Sequence, residues 1–357
     1  MELQFSGNTT GLLWKGSPRA VAFDAAGIRA RLNDTSQPCY VVRDFRGRIG
    51  VANEGETTAA GNGLPLLAMA PALGPEQLGD PTFRQDYDLK YAYKTGAMAN
   101  GIASEALVIA MGNARLLGSF GAAGLVPGRV QQAIETIQAA LPDRPYAFNL
   151  IHSPNEEALE AGAVQLYLER GVRVVEASAF LSLTPHIVHY RAAGLGRAAD
   201  GSIEIKNKVI AKISRREVAQ HFMQPAPARL LQPLVEQGKI TPEQAELAAQ
   251  VPMADDITVE ADSGGHTDNR PLVALLPSII GLRDELQAQH RYPKPIRVGA
   301  AGGISTPESA LAAFMMGAAY VVTGSVNQAC VEAGTSEHVR RLLAQVASTD
   351  VIMAPAS

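Results

Sequence analysis

Between Tyr91 and Thr323, eight short apolar runs alternate with helix-forming stretches, and this rhythm constrains the fold more than any other feature of the chain. The runs are Tyr91–Met98, Leu116–Phe120, Tyr146–Ile151, Val172–Ala177, Lys208–Ser214, Ile257–Asp262, Ile296–Ala300 and Ala319–Thr323. Between them lie helical patterns such as Ile102–Met111, Gly128–Leu141, Asn155–Arg170 and Pro185–Ala193. Strands that alternate with helices read as parallel βα units, and eight such units close into a barrel. The expected fold class is therefore α/β, a TIM (β/α)8 barrel.

Two regions depart from the rhythm. Before it, Val21–Phe23, Cys39–Arg43 and Ile49–Val51 are short strand-like pieces separated by turn residues. They predict a small, mostly β domain over residues 1–85, with the barrel occupying 86–357. After the fifth strand, residues 215–253 are too many for one βα connection. Phe222–Pro227 reads as a stiff linker there, and Thr241-Pro-Glu-Gln244 as a capping box with proline at the first helical position. This helical insertion is expected to form a lid or a partner-docking surface.

Composition narrows the function classes. Of 357 residues, 46% are hydrophobic and 18% charged, which allows a large core and excludes wholesale disorder. A net charge of -4 gives no sign of nucleic-acid or anionic-membrane binding. No apolar stretch is long enough to span a bilayer, and the N-terminus lacks the pattern of a signal peptide. Cys39 and Cys330 form no redox or metal motif, so a reduced, cytoplasmic setting is expected. His186 and His189 share a helix face without a third ligand, so no metal is assigned.

Chemistry is expected at the C-terminal ends of the strands, where catalytic residues of parallel barrels lie. Two glycine loops, Val298–Ser305 and Val322–Gln328, follow strands seven and eight. Backbone N–H groups there suit an anion, which makes Gly302, Gly303, Gly324 and Ser325 a candidate phosphate cradle. The small residues of Thr95–Gly101 can lay backbone against a flat ring. Asn149 sits inside an apolar strand and points either into the barrel or out at a helix. Lys212, near the end of strand five, either snorkels to solvent or supplies positive charge to an electron-rich cofactor. His266 follows Gly264-Gly265 where the sixth strand ends, and an imidazole there can carry a proton at neutral pH. No nucleophile elbow, Walker loop or Rossmann fingerprint is present.

Six stretches in order, Gly96–Ser104, Gly118–Gly124, Phe148–Leu150, Ser263–His266, Ala300–Ile304 and Thr323–Ser325, resemble the nitronate monooxygenase superfamily of FMN-dependent barrels. A closer resemblance covers nearly the whole chain. Trp14–Gly16, Val21–Asp24, Pro38–Asp44, Tyr91–Tyr93, Phe222–Pro227 and Ala261–Pro271 are similar to the PfaD-type enoyl reductases, which act in trans with polyketide or polyunsaturated fatty acid synthases. The resemblance implies an FMN enzyme that uses NADPH to reduce the α,β double bond of an enoyl thioester on an acyl carrier protein. It implies that Ala97, Met98 and Ala99 lie along the flavin ring, that Asn149 hydrogen-bonds it and that Lys212 sits near its pyrimidine side. Gly264 would approach the cofactor, while Gly302, Gly303, Gly324 and Ser325 would bind its phosphate. His266 takes the place of the superfamily's active-site histidine, and a homodimer is a family-level expectation. Two departures stand out. Typical members continue past the region of Met353–Ala356, so either this member is short or a C-terminal segment is missing. The loop reads Ser-Gly-Gly-His-Thr-Asp rather than Ala-Gly-Gly-His-Arg-Gly, which argues against a nitronate substrate. A nitronate-type oxidase and a non-catalytic docking component of a synthase are the alternative functions.

Overall fold

The computed structural model describes residues 10–263, 268–347, 350 and 352–354. The chain divides into two units, residues 1–78 and 79–357.

In the first unit five short strands form an antiparallel sheet in the order β3-β2-β5-β1-β4. They are β1 (Leu13–Lys15), β2 (Cys39–Arg43), β3 (Ile49–Ala52), β4 (Glu56–Thr58) and β5 (Leu64–Ala70), with helix α1 (Ala25–Asn33) between β1 and β2. Asp24 starts α1 by accepting the Gly27 N–H at 2.8 Å, a side-chain N-cap. Trp14 is the centre of this unit's core. Its indole N–H donates to the Glu54 carbonyl at 3.0 Å, so its polar atom is satisfied inside an apolar cluster. Gly55 has a φ of +122°, and a Cβ on it would sit 2.2 Å from the indole nitrogen; only glycine fits beside the ring.

The second unit opens with α2 (Pro81–Tyr87) and then the barrel. The successive strands and helices are β6 (Tyr93–Thr95), α3 (Glu105–Asn113), β7 (Leu117–Phe120), α4 (Pro127–Ala140), β8 (Ala147–Ile151), α5 (Glu157–Glu169), β9 (Val174–Ser178) and α6 (Pro185–Ala193). A hairpin of β10 (Leu195–Arg197) and β11 (Ile203–Ile205) precedes β12 (Lys208–Ile213). There follow α7 (Arg216–Met223), α8 (Ala228–Glu236), α9 (Pro242–Ala248), β13 (Asp256–Glu260), α10 (Leu272–His290), β14 (Arg297–Ala301), α11 (Pro307–Met315), β15 (Val321–Thr323) and α12 (Glu337–Leu343). The eight strands β6, β7, β8, β9, β12, β13, β14 and β15 pair in parallel and close on themselves. The expected (β/α)8 barrel is the fold. No helix of the described residues is long and apolar enough to cross a membrane.

Strand alternation sorts side chains into two cores. Phe120, Phe148, Val175, Ala211, Val259 and Val298 face the helices in the large outer core. Leu117, Ala147, Val174, Ile210 and Tyr320 fill the barrel interior. The lower end of the interior is plugged by α2. Phe83 stacks on Tyr320 with ring centroids 4.1 Å apart. The Tyr87 hydroxyl donates to Asp256 at 2.6 Å, and Arg297 forks onto the same carboxylate at 2.6 and 3.0 Å. These contacts put α2 in the barrel unit. The division at residue 78 therefore falls before the expected position at 85, since a helix buried under the strands folds with them.

The insertion at 215–253 is helical as expected, and Thr241 and Gln244 form their capping box at 3.1 and 2.9 Å. Its placement differs from a lid. The helix α7 lies on β12 and α10 as an ordinary barrel helix, while α8 and α9 pack on α6, and α9 also on β10. Phe222, Met223, Leu231, Leu234 and Leu247 are buried in the outer core. With their apolar faces spent on α6, these helices form a flank of the barrel.

Candidate active site

On six of the eight strands the inner residues nearest the C-terminal ends are polar: Lys94 on β6, Ser119 on β7, Asn149 on β8, Glu176 and Ser178 on β9, Lys212 on β12 and Glu260 on β13. Lys94 and Glu176 form an ion pair with both side chains at most 1% exposed. Lys212 pairs with Glu260 at 3.1 Å. Burial would raise the Glu176 carboxyl, but the charges of Lys94 and Lys212 outweigh it and hold the group below its ordinary value. Burial likewise opposes the charge on Lys212, yet Glu260 and Glu176 hold its ammonium above the usual value. Glu176 and Lys212 both favour their charged forms. Asn149 points into the barrel, where its amide donates to the Glu176 carbonyl at 3.1 Å and the Ser178 hydroxyl at 3.0 Å. Its carboxamide oxygen is then the atom left to accept from a ligand. Ser119 Oγ is fully buried with no partner among the described residues.

The loop after β6 is a fixed platform. Gly96 donates to the Thr323 carbonyl at 2.8 Å, Ala97 to Glu176 Oε1 at 3.1 Å and Asn100 to Ala123 at 2.8 Å. The Met98 carbonyl accepts from Ala103 at 3.2 Å. The Met98 side chain is buried with Ala103, Leu107 and Met111, so it can offer a ring only its backbone. Ala97 is partly exposed and Ala99 exposed.

The two glycine loops are neighbours because Ala301 pairs with Val322. Gly302 has φ +89°, and a Cβ there would meet the Ala261 carbonyl oxygen at 2.6 Å. Gly303 and Gly324 differ, for nothing lies within 4 Å of where their Cβ atoms would be. That open space at two glycines leaves room for a ligand group the size of a phosphate. Ser325 is exposed and begins a 3-10 turn, Ser325–Ala329, which Asn327 ties back to the Thr323 carbonyl at 2.9 Å. β15 also pairs with β6, Thr323 beside Thr95, so the cradle adjoins the platform.

Gly264 and His266 lie outside the described residues, and their expected roles rest on sequence. The ends of their loop are described. Asp262 donates its N–H to the Arg270 carbonyl at 2.8 Å. Asp268 accepts from Ser214 at 2.6 Å and from two nitrogens of Arg215 at 2.9 Å each, which joins the loop to the end of β12. The Arg215 and Ser214 hydrogen bonds hold the Asp268 carboxyl far below the usual carboxylate range.

The structure therefore gathers Ala97, Ala99, Asn149, Lys212, Gly302, Gly303, Gly324 and Ser325 at one end of the barrel. Sequence reasoning missed Lys94, Glu176, Ser178 and Glu260. Their signal was present: in Tyr-Lys-Thr, Val-Val-Glu-Ala-Ser and Asp-Ile-Thr-Val-Glu, charges recur at the positions that alternation turns inward. Among the described residues no group of three or more metal-ligating side chains occurs.

Known proteins give the geometry a context. The chain is 54% identical over 352 residues to a polyunsaturated fatty acid synthase subunit of Thraustochytrium, covering 96% of this chain and 23% of that protein. It is 49% identical over 282 residues to the polyketide biosynthesis protein PksE of Bacillus subtilis, covering 79% of this chain and 37% of the relative. The chain thus spans less than two fifths of either relative's length. Among solved structures, the enoyl reductase domain of MlnA from the macrolactin cluster of Bacillus amyloliquefaciens superposes with a TM-score of 0.74 at 42% identity, covering 76% of this chain and 62% of that one. In sequence and fold the chain is enoyl-reductase-like. The fatty acid synthase subunit PfaD N-terminal domain matches residues 14–72 and the nitronate monooxygenase family model matches residues 89–356; the chain belongs to the nitronate monooxygenase family as a PfaD-type member.

Proposed function

We propose that the protein is an FMN-dependent, NADPH-using enoyl reductase acting on α,β-unsaturated thioesters carried by the acyl carrier protein of a polyketide or fatty acid synthase. The observation that carries this reading is the open glycine cradle at Gly303 and Gly324 beside the Ala97 platform, in a chain 42% identical to an enoyl reductase domain. Bound FMN would supply the hydride that reaches the β-carbon of the enoyl group.

The chain's own residues do the rest. Gly302, Gly303, Gly324 and Ser325 hold the phosphate through backbone N–H groups. Gly96–Ala99 supports one face of the ring, and the Asn149 carboxamide oxygen and the Lys212 ammonium address its polar edge. Negative charge that develops on the thioester oxygen calls for preorganised donors. His266 is the candidate to polarise that oxygen or to protonate the α-carbon.

The test is to mix purified protein, FMN, NADPH and an enoyl-loaded carrier protein and weigh the acyl group. A gain of two hydrogens is expected, and an unchanged mass with flavin bound would exclude the activity. Membership of the nitronate monooxygenase family favours one second reading, oxidation of a nitronate with O2. Under anaerobic conditions NADPH bleaches the flavin in the first case, and a nitronate does so in the second.

A further inference from the structure

We propose that Glu176 is a positioning residue: it fixes the Ala97 backbone under the flavin and, with Lys94, balances the charge beneath the ring. This rests on the reading of the site as a flavin site. The barrel interior around the pair also takes apolar side chains, Leu117, Ala147, Val174 and Ile210, so hydrophobic packing is available there. A buried ion pair contributes little net stability compared with apolar side chains of the same volume. Glu176 does what an apolar residue cannot. One carboxylate oxygen accepts the Ala97 N–H at 3.1 Å while the other holds Lys94. The neighbouring Gly96 N–H is already used by Thr323, so Glu176 secures the next peptide of the platform. Lys94, Glu176, Lys212 and Glu260 face one another from β6, β9, β12 and β13, two positive and two negative. Their sum is zero, and removal of either member of the inner pair leaves one unit of charge next to Ala97 with almost no water to screen it.

The experiment measures the midpoint potential of bound FMN in the full-length protein. Glu176→Gln keeps an acceptor for Ala97 but frees the Lys94 charge, which favours the more negative reduced flavin, so the potential rises. Lys94→Met frees the Glu176 charge, and the potential falls. The double variant Glu176→Gln with Lys94→Met returns to the wild-type potential. Potentials that do not respond to either single substitution, or a double variant that does not return, overturn the proposal. Should a single variant fail to fold, Glu176→Met with Lys94→Met bears the test, since it buries no charge and removes the acceptor for Ala97. It is expected to keep the wild-type potential and bind FMN at least tenfold more weakly; undiminished FMN affinity overturns the positioning role. Wild-type protein that binds no FMN overturns both this inference and the proposed function, whereas bound FMN with an unresponsive potential overturns this inference alone.

Discussion

A Cβ on Gly121 would sit 1.7 Å from the Met98 carbonyl oxygen, so the end of β7 and the platform loop after β6 touch backbone to backbone. The Gly121 N–H in turn donates to the Ala103 carbonyl at 2.9 Å. Gly121→Ala must push the platform away. It is expected to cost about 1–3 kcal/mol of stability by overpacking and to weaken FMN binding at least tenfold. Urea unfolding and flavin-fluorescence titration read the two effects. Normal FMN affinity in a destabilised variant would show that the contact does not shape the platform.

Gly302 and Gly324, both assigned to the proposed phosphate cradle, separate backbone strain from ligand space. Gly302→Ala meets both a positive φ and the Ala261 carbonyl, so the apoprotein itself is destabilised. Gly324→Ala meets open space at a negative φ of -131°. Its apoprotein should melt within about 0.5 kcal/mol of wild type, while FMN affinity falls at least tenfold because the methyl group enters the phosphate cradle. Equal FMN affinity in Gly324→Ala would remove this loop from the site.

Asp268 gives a pH signature. Its folded-state pKa is depressed below the ordinary 3.8 by Arg215 first and Ser214 second. A depressed carboxyl adds stability above its unfolded-state value, and that stability is lost as pH falls through the folded value. The melting-temperature difference between wild type and Asp268→Asn should therefore be present at pH 7 and shrink as pH drops below about 4. A difference that grows in acid would contradict the clamp.

Arg297 holds the lower plug together through Asp256 and Asp86. Arg297→Met leaves the Asp256 carboxylate buried beside Tyr87 with its main partner gone, and the loss should be about 3–5 kcal/mol in urea unfolding. Because this network lies at the N-terminal end of the strands, FMN stoichiometry at low temperature should survive. Loss of FMN without loss of stability would mean that the two ends of the barrel are coupled.

For His266 the two half-reactions provide the contrast. His266→Ala is expected to leave NADPH-dependent bleaching of the flavin intact and to slow enoyl turnover about 10²–10⁴-fold, the usual range for a lost general acid. Stopped-flow absorbance follows the first and mass spectrometry of the acyl carrier the second. Undiminished turnover would take the imidazole out of the mechanism.

The outer shell of the fold was legible in the sequence because short, mostly apolar runs such as Val172–Ala177 and Ile257–Asp262 alternate with helical stretches, the pattern of strands covered on both faces. The glycine loops at 302 and 324 were legible for a related reason, since their position after the last two strands follows from counting. Lys94 and Glu176 were harder to read. Each is a lone charge in a three- or five-residue strand, and they lie 82 positions apart in the chain. Neither has a meaning until the barrel closes. Where the insertion at 215–253, expected as a lid or a partner-docking surface, would pack was hard to read for the opposite reason. Helical propensity and caps, as at Thr241-Pro242, are local, but the surface that an amphipathic helix covers is decided by whichever apolar neighbour is nearest, here α6.

By itself, then, the sequence determined the eight barrel strands, their parallel alternation, the glycine loops after the last two of them and the insertion's helical character, all of them consequences of local pattern and periodicity. Only the tertiary structure decided which charges meet. Closure of β6 against β15 sets Lys94 level with Val322 beside the glycine loops. The inward turn of β9 brings Glu176 to both Lys94 and the Ala97 N–H. Such pairings depend on register and strand parity summed around the whole barrel, and no short stretch of chain contains that information.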